Sequence, residues 1–139
     1  MNQDFDALQR DMTFASLFKT RMKYMPSAEE LIVAMNEDGI DISVVMGYGW
    51  CEYEFAKIAN DFILEAAKTH PNKIVPFCSV HPDWGDLAIY EIERCIALGA
   101  RGIGELHPTS QSIDLALNEN LDSIVRIACQ NNMPIVVHG

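Results

Sequence analysis

Gly99–Pro108 reads "GARGIGELHP". It begins as a short apolar run with three glycines, as a buried strand would. It then ends on a carboxylate and an imidazole, Glu105 and His107. "MPIVVHG", Met133–Gly139, repeats the form: an apolar run that stops on a histidine, His138. Strands built for a core that finish on ionisable groups point to an architecture in which strand tips carry the chemistry.

Working outward, the apolar runs number four: "ISVVMG" (42–47), "KIVPFCSV" (73–80), "ARGIGEL" (100–106) and "PIVVHG" (134–139). They recur about every 30 residues, the length of one strand-plus-helix unit. Each is apolar on both faces, as parallel strands covered on both sides are. Between them the apolar residues fall at helical spacing. In "SAEELIVAMNEDG" Ser27 and Glu30 form a capping box and Gly39 is the stop, with Ala28, Leu31, Ile32 and Met35 inward. A second helix is expected over 52–69, with Phe55, Ile58, Ala59, Phe62, Ile63 and Ala66 as its stripe and Pro71 after it. A third covers 86–98, with Ile89, Ile92 and Ile96 inward, and a fourth 118–131, with Leu121, Ile124, Val125 and Ala128 inward. Residues 1–26 read as partly helical and polar.

This alternation predicts an α/β fold with a parallel sheet, either an open doubly wound sheet or part of a (β/α)8 barrel. An open sheet that binds a dinucleotide carries a glycine-rich loop after its first strand. "MGYGWCEYE" offers only Gly47 and Gly49, with a bulky Trp50 following. A partial (β/α)8 TIM barrel with four parallel strands, each preceded by a helix, accounts for the strand ends better. Active sites of such barrels sit at the C-terminal ends of the strands, and here those ends carry Tyr48, His81, Glu105 with His107, and His138. The whole chain, 1–139, reads as one partial barrel domain.

Composition bounds the function. Ten Lys and Arg against twenty Asp and Glu leave a net charge of −10, which disfavours nucleic acid and anionic membrane surfaces as partners. No apolar run approaches the roughly 18 residues of a membrane span, and "MNQDFDALQRD" has neither the basic flank nor the apolar core of a secretion signal. The four cysteines, Cys51, Cys78, Cys95 and Cys129, make no C-x-x-C pair and read as mostly buried thiols of a cytoplasmic protein.

Among the histidines, His70 in "KTHPNK" reads as an exposed turn residue, and His81 before Pro82 as one that closes a strand and bonds a loop carbonyl. Glu105, at the end of a buried strand, must be paired, protonated or bound to a cation. A salt bridge with Arg101 is the structural alternative, and a satisfied core histidine is the alternative for His138. For His107 a structural and a functional role weigh evenly.

"PSAEELIVAMNEDGIDISVVMGYGW", "HPNKIVPFCSVHP", "ALGARGIGELHPTSQ" and "MPIVVHG", taken in order, resemble the amidohydrolase-related family. That family comprises metal-dependent (β/α)8-barrel hydrolases and includes enzymes like aminocarboxymuconate-semialdehyde decarboxylase. The likeness runs from about Met12 to Gly139. It implies a divalent metal, zinc as first expectation, with Glu105 and His138 as ligands from the fourth and fifth strands. It implies His107 and Gln111 on the substrate side; Gln111 matches a Gln-Gly pair of the related pattern, and Ser112 departs from it. The family's His-x-His pair does not occur in this sequence, nor do the histidine of its sixth strand and the aspartate of its eighth. The chain is therefore expected to correspond to strands two to five of a larger enzyme.

The activity implied is hydrolysis of a small carbonyl, amide or ester substrate by metal-activated water. Decarboxylation within the same superfamily is one alternative. A non-catalytic half-barrel that works only as a homo-oligomer or with a partner chain is another. A flavodoxin-like binding module is a third, disfavoured by the missing phosphate loop.

Overall fold

Each apolar run becomes a strand, and each intervening pattern a helix. In the computed structural model, which describes residues 8–18 and 25–139, the order is α1 (Met12–Leu17), α2 (Ala28–Asp38), β1 (Ser43–Val45), α3 (Tyr53–Thr69), β2 (Ile74–Cys78), a single 3-10 turn (Pro82–Trp84), α4 (Asp86–Ala97), β3 (Gly102–Leu106), the short α5 (Pro108–Gln111), α6 (Glu119–Gln130) and β4 (Ile135–Val137). Of the segment expected to be partly helical, residues 1–7 and 19–24 lie outside the described residues.

The sheet runs β1-β2-β3-β4, every neighbouring pair parallel. Sequential order with helical crossovers is how a barrel is laid down, and the four strands curl into half of one. The register pairs Val44 with Val75, Cys78 with Ile103 and Leu106 with Val137. An irregularity between Ile103 and Leu106 shifts the pairing just before the strand end that carries Glu105. Two glycines permit the close contacts. A Cβ on Gly102 would enter the Phe77 ring, and one on Gly104 would stand 2.8 Å from the Val136 carbonyl on β4.

Helix α2 starts as the capping box requires: Ser27 Oγ accepts from the Glu30 N–H, and the Glu30 carboxylate accepts from the Ser27 N–H. It ends on Gly39 in the left-handed region at φ 69. Its predicted face holds, with Met35 buried and Ala28, Leu31 and Ile32 packed against Ala66, Ala67 and Ile74. The main core lies between the sheet and α3, α4 and α6, where Cys78, Val80, Ile103 and Leu106 meet Ile92, Cys95, Ile124 and Ala128.

Helix α3 is rotated from its expected stripe. Ala56, Asn60, Ile63, Leu64 and Ala67 face inward, while Ile58 and Phe62 are exposed. Small Ala56 and Ala67 let the helix sit close on β2, and Asn60 is tolerated inside because every polar atom of its side chain is bonded. On α6, Ile127 replaces Val125 on the buried face. His70, expected in the open, is half-buried as the C-cap of α3. Among the described residues no helix is long and apolar enough to cross a membrane.

Candidate functional site

The C-terminal ends of the strands are tied together by one side chain. Gln111, in the turn after β3, donates its amide N–H groups to the Trp50 carbonyl (3.0 Å) beyond β1 and to the Val80 carbonyl (3.3 Å) beyond β2. Its Oε1 accepts the His107 N–H at 2.7 Å. Its backbone carbonyl accepts from His81 Nε2 at 2.9 Å, while His81 Nδ1 accepts the Asp83 N–H. His81 therefore closes a strand end and bonds a loop carbonyl, as its sequence context suggested. Gly49 makes this possible: a Cβ there would stand 2.7 Å from both Gln111 Oε1 and His107 Cβ. Gln111 is buried and its amide is committed to the framework.

Beside this clasp lie the two candidate ligands. His138 Nδ1 and Glu105 Oε1 are 2.8 Å apart. A carboxylate only accepts, so the proton of a neutral His138 sits on Nδ1 and its Nε2 carries a free lone pair. Their side chains are 51% and 28% exposed, so the pair opens to solvent at the strand ends. Arg101, the alternative partner for Glu105, forms no ion pair with it among the described residues; His138 takes that place. The His107 ring stacks on the His138 ring, with centroids 4.1 Å apart and planes at 16°. Glu105, His107 and His138 thus come together, with Gln111 bracing His107 from behind.

The donor chemistry suits a divalent cation, since carboxylate oxygen and imidazole nitrogen serve zinc and manganese alike. The 2.8 Å separation is that of a hydrogen bond; two ligands each about 2.1 Å from one ion stand roughly 3 Å or more apart. Glu105 Oε2 and His138 Nε2 are free, but Nε2 points away from Glu105, so a cation shared by the two groups would take the place of the hydrogen bond between them. Among the described residues no three His, Cys, Asp or Glu side chains form a ready-made metal cluster.

No protein-family model matches the chain, and no curated protein sequence does. Solved structures do. A Staphylococcus aureus protein assigned as an amidohydrolase superposes with a TM-score of 0.67 at 25% identity, over 79% of this chain and 38% of its own. The 5-carboxyvanillate decarboxylase of Novosphingobium aromaticivorans superposes in two structures, with TM-scores of 0.79 and 0.73 at 21% identity, over 99% of this chain and 47% of its own. Both of the latter contain manganese and a hydroxy-methoxy-nitrobenzoic acid. This chain has the fold of the amidohydrolase-type barrels. It spans between about two fifths and one half of the length of these relatives.

Two features of this half-barrel escaped the sequence reading. Asp11, fully buried, accepts four backbone N–H groups: those of Thr13 and Phe14, which begin α1, and those of Cys51 and Glu52 (both 2.8 Å), which lead into α3. One carboxylate thereby caps one helix and fixes the loop that presents the Trp50 carbonyl to Gln111. The second feature is a network behind the strands. Asn60 accepts the Ser79 N–H (2.8 Å) and donates to the Ser79 carbonyl and to Glu91. Arg94 grips the fully buried Glu91 through Nε and an Nη, both at 2.8 Å, and reaches Asp61 with its other Nη. Ser79 Oγ donates to the Gly104 carbonyl, carrying the network to β3.

Burial alone would raise the Glu91 carboxyl, but the bonds from Arg94 and then Asn60 outweigh it and hold the group below its ordinary value. Arg94 is pushed up, chiefly by its bonds to Glu91. Cys95 is pushed far up by its bond with Cys78 and by burial, so this thiol is inert packing rather than a nucleophile.

Proposed function

We propose that this chain forms part of the active-site mouth of a metal-dependent enzyme that cleaves a carboxyl group from a small aromatic acid. The observation that carries the reading is the Glu105–His138 pair, placed side by side where β3 and β4 end. The decarboxylase likeness, which extends over nearly the whole chain, favours carboxyl release. Hydrolysis of a small amide or ester is the second reading, favoured by the likeness to the Staphylococcus aureus protein.

A bound divalent cation supplies Lewis-acid polarisation of a substrate oxygen. The Glu105 carboxylate and the His138 imidazole are the groups that would hold it, in place of the hydrogen bond they share here. Manganese is favoured over zinc by the solved decarboxylases, and both fit the two donors. Gln111 keeps the β1, β2 and β3 ends in register, so that the groups at the mouth do not drift.

The experiment supplies the purified protein with manganese or zinc and offers it 5-carboxyvanillate and 4-nitrophenyl acetate. Metal-dependent release of carbon dioxide supports the proposal. Metal-dependent ester cleavage without carbon dioxide favours hydrolysis, and metal-independent turnover of either sinks the account.

A further inference from the structure

Glu105 sits where the regular pairing of β3 gives out. Toward β2 the register runs Phe77–Gly102 and Cys78–Ile103 and stops there. Toward β4 it shifts between Ile103 and Leu106. Gly104 and Glu105 fall inside both interruptions, where backbone groups need other partners. The Gly104 carbonyl accepts the Ser79 hydroxyl at 3.1 Å. The Glu105 N–H meets the Gly47 carbonyl at 3.4 Å. That carbonyl and that N–H belong to one planar peptide group. Ser79 and Gly47 therefore set the plane from which the Glu105 side chain departs.

Ser79 is itself fully buried and tightly held. Asn60 accepts its N–H at 2.8 Å and donates to its carbonyl at 3.1 Å, pairing with it as a neighbouring strand would. Asn60 is fixed in turn by Glu91 at 2.8 Å, and Glu91 by Arg94. A Cβ on Gly47 would stand 2.9 Å from Ser79 Oγ, so the end of β1 leaves room for the hydroxyl. Plain packing is the competing explanation. Alanine would serve that purpose without burying a hydroxyl, which costs free energy unless it is bonded.

We infer that Ser79 is a positioning residue for the candidate site: its hydroxyl, anchored through Asn60, holds the peptide that leads into Glu105 so that the carboxylate meets His138. The consequence for the Glu105–His138 hydrogen bond stands on geometry alone. The consequence for cation binding rests on the function proposed above. Ser79 acts through Glu105 and touches neither substrate nor cation in this scheme.

The test compares wild type, Ser79→Ala and Ile74→Val. The last is a control that trims a buried side chain at the opposite end of β2, in the cluster with Ala66 and Ala67. Both variants should lower the denaturation midpoint. Long-range proton–nitrogen spectra of histidine-labelled, metal-free protein then read the His138 ring at about pH 8.5, where an ordinary histidine is neutral. Wild type and Ile74→Val should show the Nδ1–H tautomer that the bond to Glu105 requires. In Ser79→Ala the Nε2–H form should gain at its expense. Zinc, chosen because it is diamagnetic, should bind Ser79→Ala about tenfold or more weakly than Ile74→Val. Ser79→Cys has a weaker donor. It should fall between on both readouts, and it carries the comparison if Ser79→Ala does not fold. An unchanged His138 tautomer in either Ser79 variant, an equal change in Ile74→Val, or no Nδ1–H form in wild type overturns the inference. If the tautomer moves as expected while wild type binds no zinc, the cation reading fails and the positioning role stands.

Discussion

The Gln111 side chain reaches the Trp50 carbonyl, 61 residues away in sequence, at 3.0 Å. With its bonds to Val80 and His107 it joins the ends of three strands. Gln111→Ala would leave two carbonyls and one N–H unpaired in a buried setting. Each such group costs about 1 kcal/mol or more, so the variant should lose about 2–4 kcal/mol. Urea denaturation followed by circular dichroism measures it; a loss under about 1 kcal/mol would mean that the strand ends do not depend on this clasp.

Glu91 makes stability depend on acid. Its folded-state carboxyl titrates below the ordinary value, burial being outweighed by Arg94 and Asn60. The stabilisation it gives is therefore whole above its unfolded value of about 4.3 and fades as pH falls through the lower folded value. Glu91→Gln should be less stable than wild type by about 2–3 kcal/mol at pH 7, with the gap closing below about pH 4. Denaturant midpoints from pH 2.5 to 7 follow this, and a gap that does not change with pH would count against the charged pair.

Asp11 satisfies four backbone donors at once. Asp11→Ala should cost about 2–4 kcal/mol, more than a single lost helix cap. Hydrogen exchange should then speed up at Thr13, Phe14, Cys51 and Glu52 together. Faster exchange at the α1 pair alone would show that the loop into α3 is held by other contacts.

Gly102 leaves room for the Phe77 ring. Gly102→Ala should destabilise by about 2–3 kcal/mol through overpacking. Adding Phe77→Leu should recover part of that loss, and strict additivity of the two changes would contradict the contact.

The strands and the α2 cap were legible because they are local: runs of apolar residues, a Ser-x-x-Glu box, a stop glycine. Glu105 and His138 were legible because ionisable groups at the tips of apolar strands break the local pattern. The face of α3 was not. Ile58 and Phe62 have the spacing of a buried stripe, yet Asn60 takes the inward position, because Ser79 and Glu91 satisfy it. Those partners sit 19 and 31 residues away, so helical periodicity carries no trace of them. Asp11 was hidden in the same way, and so was the bracing role of Gln111, which the resemblance had put on the substrate side: the partners of both are backbone groups brought near only by the fold. His107 showed as a candidate by type, and its unpaired Nε2 appears only in three dimensions.

The deciding measurement is the metal content of the purified protein after equilibration with manganese or zinc, read by mass spectrometry for wild type, Glu105→Ala, His138→Ala and the double variant. If Glu105 and His138 hold a divalent cation, wild type should retain the metal, and each substitution should weaken retention by about tenfold or more. Equal metal content in wild type and the double variant would contradict that assignment.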